Sequence, residues 1–121
     1  MSWSVHYVSE LKIISVTTSG VFTPEVNVEI LKEILTKSAE FECNYVLIDH
    51  RKSEISFSFL EIHGLPALYD RFEVERKYKV AVVFKEVTRD DKFFQDVCRN
   101  RGFNYKVFDD YDAGLNWLLE L

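Results

Sequence analysis

The chain is poor in the residues that usually make a site readable from spacing alone. Its two cysteines, Cys43 and Cys98, lie far apart in 121 residues and form no C-x-x-C or metal-spaced pattern. A disulfide framework and a cysteine-based zinc site are therefore weak readings, and two buried free thiols in a reducing compartment are expected. Four glycines are too few and too scattered for a phosphate-cradling loop, and no nucleophile elbow or zinc-protease motif occurs. Cationic excess is missing as well: the formal net charge is -5. Arg71, Arg76, Lys77, Lys79 and Lys85 gather in one region, but Asp70, Glu73, Glu75 and Glu86 are interleaved with them. That is a solvated mixed face rather than the basic stripe whose counterion release drives nucleic-acid binding, so no nucleic-acid partner is expected. Long apolar runs are absent too. The longest spans Val80 to Phe84, and the opening M-S-W-S-V-H-Y-V has neither the basic segment nor the apolar core of a signal peptide. The expectation is a cytoplasmic protein without a membrane span. Internal repeats, linkers and low-complexity segments are lacking.

What is plentiful is aromatic: ten Phe, six Tyr and two Trp, within 47% hydrophobic and 29% charged residues. The balance is that of an ordinary globular chain, and its length allows one domain that buries about two thirds of its unfolded surface. So many rings imply a bulky core, a pocket or a sticky face.

The stretch that organises the chain is Asn44 to Leu60. Tyr45 to Ile48 is a short apolar run of the kind buried on both faces of a sheet, and it meets the charged cluster Asp49, His50, Arg51 and Lys52. This order predicts a central strand ending at Asp49, a polar loop to Ser58, and then a helix. In open α/β sheets sites lie at such carboxyl ends of central strands.

Taken in order, Trp3, Val5 and Tyr7 alternate with polar residues as a half-buried strand. Ser9 and Glu10 predict a two-residue turn into a second strand over Leu11–Thr18, with Gly20 marking the exit. Thr23, Pro24 and Glu25 supply a hydroxyl cap, a first-turn proline and an early acid. Val26, Ile30, Leu31, Ile34 and Leu35 then form the apolar stripe of a helix reaching about Ser38. Ser58 and Glu61 have capping-box spacing, but Gly64 and Pro66 predict a short helix, a kink and a second segment from Pro66 to about Val74. Val80–Phe84 reads as another central strand. Thr88 and Asp91 start a helix with Phe93, Phe94, Val97 and Cys98 inward, and Arg101-Gly102 ends it. Phe103, Tyr105 and Val107 alternate as a strand nearer the edge, and Asp109 or Asp110 caps a last helix. The order β-β-α-β-α-β-α-β-α predicts a single α/β domain: a mixed, mostly parallel sheet opened by an antiparallel hairpin, with helices packed on it.

Several of these stretches resemble one family. W-S-V-H-Y, G-V-F-T-P-E, V-L-I-D with its charged, serine-bearing loop, K-V-A-V-V-F, R-G-F and V-F-D-D-Y-D-A-G-L-N-W-L together resemble the SpoIIAA-like branch of the STAS domains, named for bacterial anti-sigma-factor antagonists and sulfate transporters. The resemblance covers nearly the whole chain. It implies a small module that acts by binding, as a non-enzymatic regulator without a cofactor. Classical antagonists carry a phosphorylatable serine at the start of the helix after the Val-Leu-Ile-Asp strand, in an Asp-Ser-Ser-Gly setting. Ser58 is nearest that position and Ser56 lies close by, although the acid before and the glycine after are replaced. The family is also described beside lipid-carrying folds, and Phe57 and Phe59 fit an apolar ligand.

The simpler readings stand beside these. A phosphate on Ser58 would sit at a helix amino terminus near Arg51 and Lys52, but a capping serine accounts for the same residue. Asp49, His50 and His63 are the materials of an acid, base or metal site, yet no spacing joins them, and a surface role for each histidine is the expectation. Asp49 suits a carboxylate that orders its own loop. Phe57, Phe59, Tyr69 and Phe72 would pack in the core or line a pocket beside the broken helix. The function expected is a binding or regulatory module acting through Asp49, His50, Arg51, Phe57 and Phe59 toward a protein partner, with homodimerisation left open. The alternative is a carrier or sensor of a small apolar ligand.

Overall fold

The computed structural model describes residues 1–71 and 77–120, with only the backbone of Phe59 and Pro66. The elements follow the expected order: β1 Ser2–Val8, β2 Ile13–Phe22, α1 Pro24–Phe41, β3 Tyr45–Ile55, α2 Phe59–Arg71, β4 Lys79–Val83, α3 Arg89–Asn100, β5 Asn104–Phe108 and α4 Tyr111–Leu118. The five strands lie in the sheet in chain order, β1 antiparallel to β2 and the other pairs parallel.

That simple order decides where the helices go. From β2 to β5 each strand is laid down on the same side of its predecessor, so right-handed crossovers carry α1, α2 and α3 to one face. The helix α4 follows the last strand and is free to cover the other. Strand alternation matches this division. Ile14, Val16, Val46 and Val82 pack toward α1–α3, with Ile30, Ile34 and Cys98 above them. Ile13, Leu47, Ala81 and Val83 point the other way, onto Leu118 and Leu115.

Local chemistry sets most boundaries. Thr23 Oγ1 accepts from Val26 N–H at 3.3 Å to open α1. Ser58 and Glu61 form a reciprocal box, Ser58 Oγ accepting at 3.1 Å and Glu61 Oε1 at 2.9 Å, and Thr88 and Asp91 repeat it on α3. Asp110 caps α4.

Four expectations need correction. The first turn spans 9–12 rather than two residues, with Lys12 at φ 55°. Gly20 does not leave β2 but sits inside it at φ 99°, where a Cβ would lie 3.1 Å from the Met1 Cα. Gly64 and Pro66 do not interrupt α2. Helical backbone runs through both, because the capping box holds its start and Ile62 and Leu65 are buried on one stripe; the expected extension to Val74, with Phe72, lies outside the described residues.

The fourth correction matters most for function. Asp49 does not end the central strand: β3 continues to Ile55, so Asp49, His50, Arg51 and Lys52 are strand residues and the loop shrinks to 56–58. Beyond Asp49 the strand has left β4 and pairs with β2 alone, through Ser19↔Lys52 to Phe22↔Ile55, after a register shift between Thr17 and Ser19. A half-solvated strand of this kind tolerates charges that a doubly flanked one would not.

Candidate functional site

The extension of β3 separates the residues expected to act together. Alternation sends His50 to the α1–α3 face and Asp49 and Arg51 to the α4 face. Asp49 accepts from Arg51 Nε at 2.9 Å and Nη2 at 2.8 Å, and from the Arg51 backbone N–H at 3.0 Å. The guanidinium lies over the Tyr111 ring at 4.9 Å. Burial pushes the Asp49 carboxyl up, but these Arg51 contacts outweigh it and hold the group below its usual value of 3.8. The aspartate thus orders its own segment, on a strand rather than a loop.

His50 is not a surface residue. It is 6% exposed, its ring 4.4 Å from Phe22 and 5.6 Å from Phe84. Burial of the imidazolium lowers its pKa to about 4, against a smaller opposing pull from Asp49. The neutral ring is fixed by a short chain: Nδ1 is 2.6 Å from Thr18 Oγ1, which is 2.6 Å from Ser53 Oγ and 3.3 Å from the Asp49 carbonyl. Thr18 is 1% exposed and His50 is buried with it, while Ser53, half-buried, carries this polar chain to the mouth. Its hydroxyl has one hydrogen; when it donates to Nδ1, Ser53 donates to it and the imidazole carries its proton on Nε2.

His50 also lines a run of three chambers between the sheet and the helix layer. The first, of about 80 Å³, is bounded by Phe22, Ile30, Ile34, Val80 and Tyr105 among others. A second of about 80 Å³ adjoins it and shares Phe22, Asn27, Ile48, His50, Tyr69 and Tyr105. A third of about 370 Å³ forms a mouth where Ser53, Ile55 and Phe57 meet Lys85, Glu86 and Asp90. The segments after β3 and β4 do converge at one end of the sheet, the usual location for a site in this architecture.

Phe57 stacks on Phe22 with centroids 5.6 Å apart and forms part of the wall of the outer two chambers. Tyr69 lines the inner two; burial raises the pKa of its hydroxyl and that of Tyr105, so both stay protonated. The side chains of Phe59 and Phe72 lie outside the described residues. Ser58 is occupied as a cap and exposed, and Ser56, also exposed, donates its backbone N–H to the Phe22 carbonyl at 2.9 Å. His6 on β1 and His63 on α2 are exposed, and neither is a lining residue of the chambers beside His50. No cluster of three metal-ligating side chains occurs among the described residues, and no described helix is long and apolar enough to cross a membrane.

Sequence reasoning passed over Thr18, Ser53 and Asn27. The first two were hidden inside polar strand stretches. Asn27 stands three, four and seven positions before Ile30, Leu31 and Ile34, on the buried stripe of α1, and its Nδ2 is buried without a hydrogen-bond partner among the described residues. No family model, curated protein or solved structure matches this chain.

Proposed function

We propose that this protein is a non-enzymatic binding module of the cytoplasm that holds a small, apolar-bodied ligand between its sheet and helix layer. One observation carries the reading: three neighbouring hollows, all lined in part by His50, lie between the sheet and the helix layer, the first two largely apolar and the third polar at the carboxyl ends of β3 and β4. Sites for small molecules have this form, largely apolar walls with a few convergent polar groups. His50 is neutral and its Nδ1 is engaged by Thr18, an arrangement that orients a hydrogen-bonding edge rather than one that activates a nucleophile. The resemblance to SpoIIAA-like STAS modules supports a binding role of the same kind, in which ligand occupancy would tune a regulatory contact.

The test is a comparison of native and denaturing mass spectra of the purified protein, with a Nile red titration of the folded chain. A mass lost on denaturation, or saturable dye binding quenched by unfolding, is expected. A bare chain that binds no dye sinks the reading. The protein-partner reading is kept by a separate observation: Leu60 on α2 is 79% exposed, and Gly64 one turn on has open space above it. The native spectrum shows directly whether a second copy is that partner.

A further inference from the structure

The cleft has a feature that selects among apolar-bodied ligands. Asn27 borders both inner chambers, placing a carboxamide where the two share their walls. Its Nδ2 has no partner among the described residues, although leaving a buried amide donor unpaired costs free energy that folding seldom tolerates without a reason. The cap at Thr23 engages only the main chain here, the Asn27 backbone N–H bonding the Thr23 carbonyl at 3.0 Å. The surroundings carry no matching charge. Among the described residues, no lysine, arginine, aspartate or glutamate lines the first chamber. The second adds only Asp90 and Asp91, and the mouth sets Lys85 against Glu86, Asp90 and Asp91. An anion entering this cleft would therefore pass an acidic mouth and lose its water with no inner cation to replace it.

Resting on the binding reading above, we infer that the cleft takes an uncharged amphiphile, whose hydroxyl, ketone, ester or amide group pairs with the Asn27 carboxamide, and that it rejects the ionised carboxylate of the same chain length. Size agrees with a modest molecule. Each inner chamber, of about 80 Å³, admits only a short stretch of chain beside the polar group. A carboxamide is suited to either partner, since its NH₂ donates to a carbonyl or hydroxyl oxygen and its oxygen accepts from a hydroxyl.

The experiment is displacement of Nile red at pH 7 by octanol and by octanoate, on the wild-type chain and on Asn27→Leu and Asn27→Asp, with circular dichroism to confirm folding. Octanol is expected to compete at least about tenfold more tightly than octanoate, because the desolvated carboxylate lacks a partner. Asn27→Leu should keep Nile red binding while octanol weakens about threefold to tenfold, the effect of one neutral hydrogen bond. Asn27→Asp, which keeps the shape and adds a charge, should weaken octanol as well. If octanoate competes as well as octanol, or if Asn27→Leu leaves octanol unchanged in a folded protein, the inference fails and the cleft remains a binding site. If neither the dye nor either competitor binds the wild type, the binding reading itself fails.

Discussion

Burying His50 as a neutral base makes stability depend on acidity in a calculable way. Unfolding releases the ring to water, where its pKa returns to about 6.5, whereas in the fold it is lowered to about 4. Between these values the unfolded chain binds the proton that the folded chain refuses. Stability is therefore complete above about pH 6.5, falls as pH drops through the window, and levels off below about pH 4. Linkage across the whole shift amounts to about 3 kcal/mol, of which about 2 kcal/mol is lost between pH 7 and pH 5. With an m-value of about 2 kcal/mol/M for a domain of this size, the urea midpoint should fall by about 1 M over that interval. Other charged groups face the same region, namely Asp49 on the same strand and Lys85, Glu86, Asp90 and Asp91 around the mouth. Their contribution is removed by comparison with His50→Asn, whose amide can still meet Thr18 but does not titrate. The variant should be less stable at neutral pH, from the space its smaller side chain leaves, and its midpoint should lack the His50 component of the slope. Parallel pH profiles for the two proteins would refute the reasoning, since they would mean that the ring is solvated or charge-paired in the fold.

Two further predictions separate close packing from open surface. Alanine at Gly114 would place a Cβ 3.0 Å from Val83 Cγ2 and 3.3 Å from Phe108 Cδ2, and the overpacking should outweigh the gain in helix propensity, for a net loss of about 1–2 kcal/mol. Alanine at Gly64, which meets nothing within 4 Å, should instead stabilise α2 by about 0.5–1 kcal/mol; urea denaturation of both variants reads the opposite signs. The Cys98 thiol is fully buried and burial pushes its pKa up to about 12, so a thiol-specific reagent at pH 8 should label it only at the rate of unfolding. Labelling of Cys98 in the folded protein faster than global opening would contradict its place on the buried face of α3.

The order of the elements and most helix starts could be read locally, because their causes are local. Thr23-Pro24, Ser58 with Glu61, Thr88 with Asp91 and Asp110 satisfy free N–H groups within a few residues of themselves, whatever the rest of the chain does. The apolar runs at Tyr45–Ile48 and Val80–Phe84 likewise announced central strands by needing cover on both faces. What misled was charge: Asp49, His50, Arg51 and Lys52 look like a loop until β2 is seen to run alongside them to Phe22. Strand pairing is non-local, and only the tertiary structure shows that β3 outlasts β4.

The same holds for the site. A period of two tells that His50 and Arg51 face opposite ways, but which face receives α4 and which receives α1–α3 is decided by the crossovers. Covering one face buries His50 against Phe22 and Phe84, unites Thr18 with Ser53, and leaves Asn27 without a partner beside the chambers. The sequence by itself determined the elements and their order, because caps and apolar periodicity act locally. Tertiary packing alone decided where the cleft lies and which polar side chains line it, because a pocket is a gap between elements whose separation no single stretch of chain encodes.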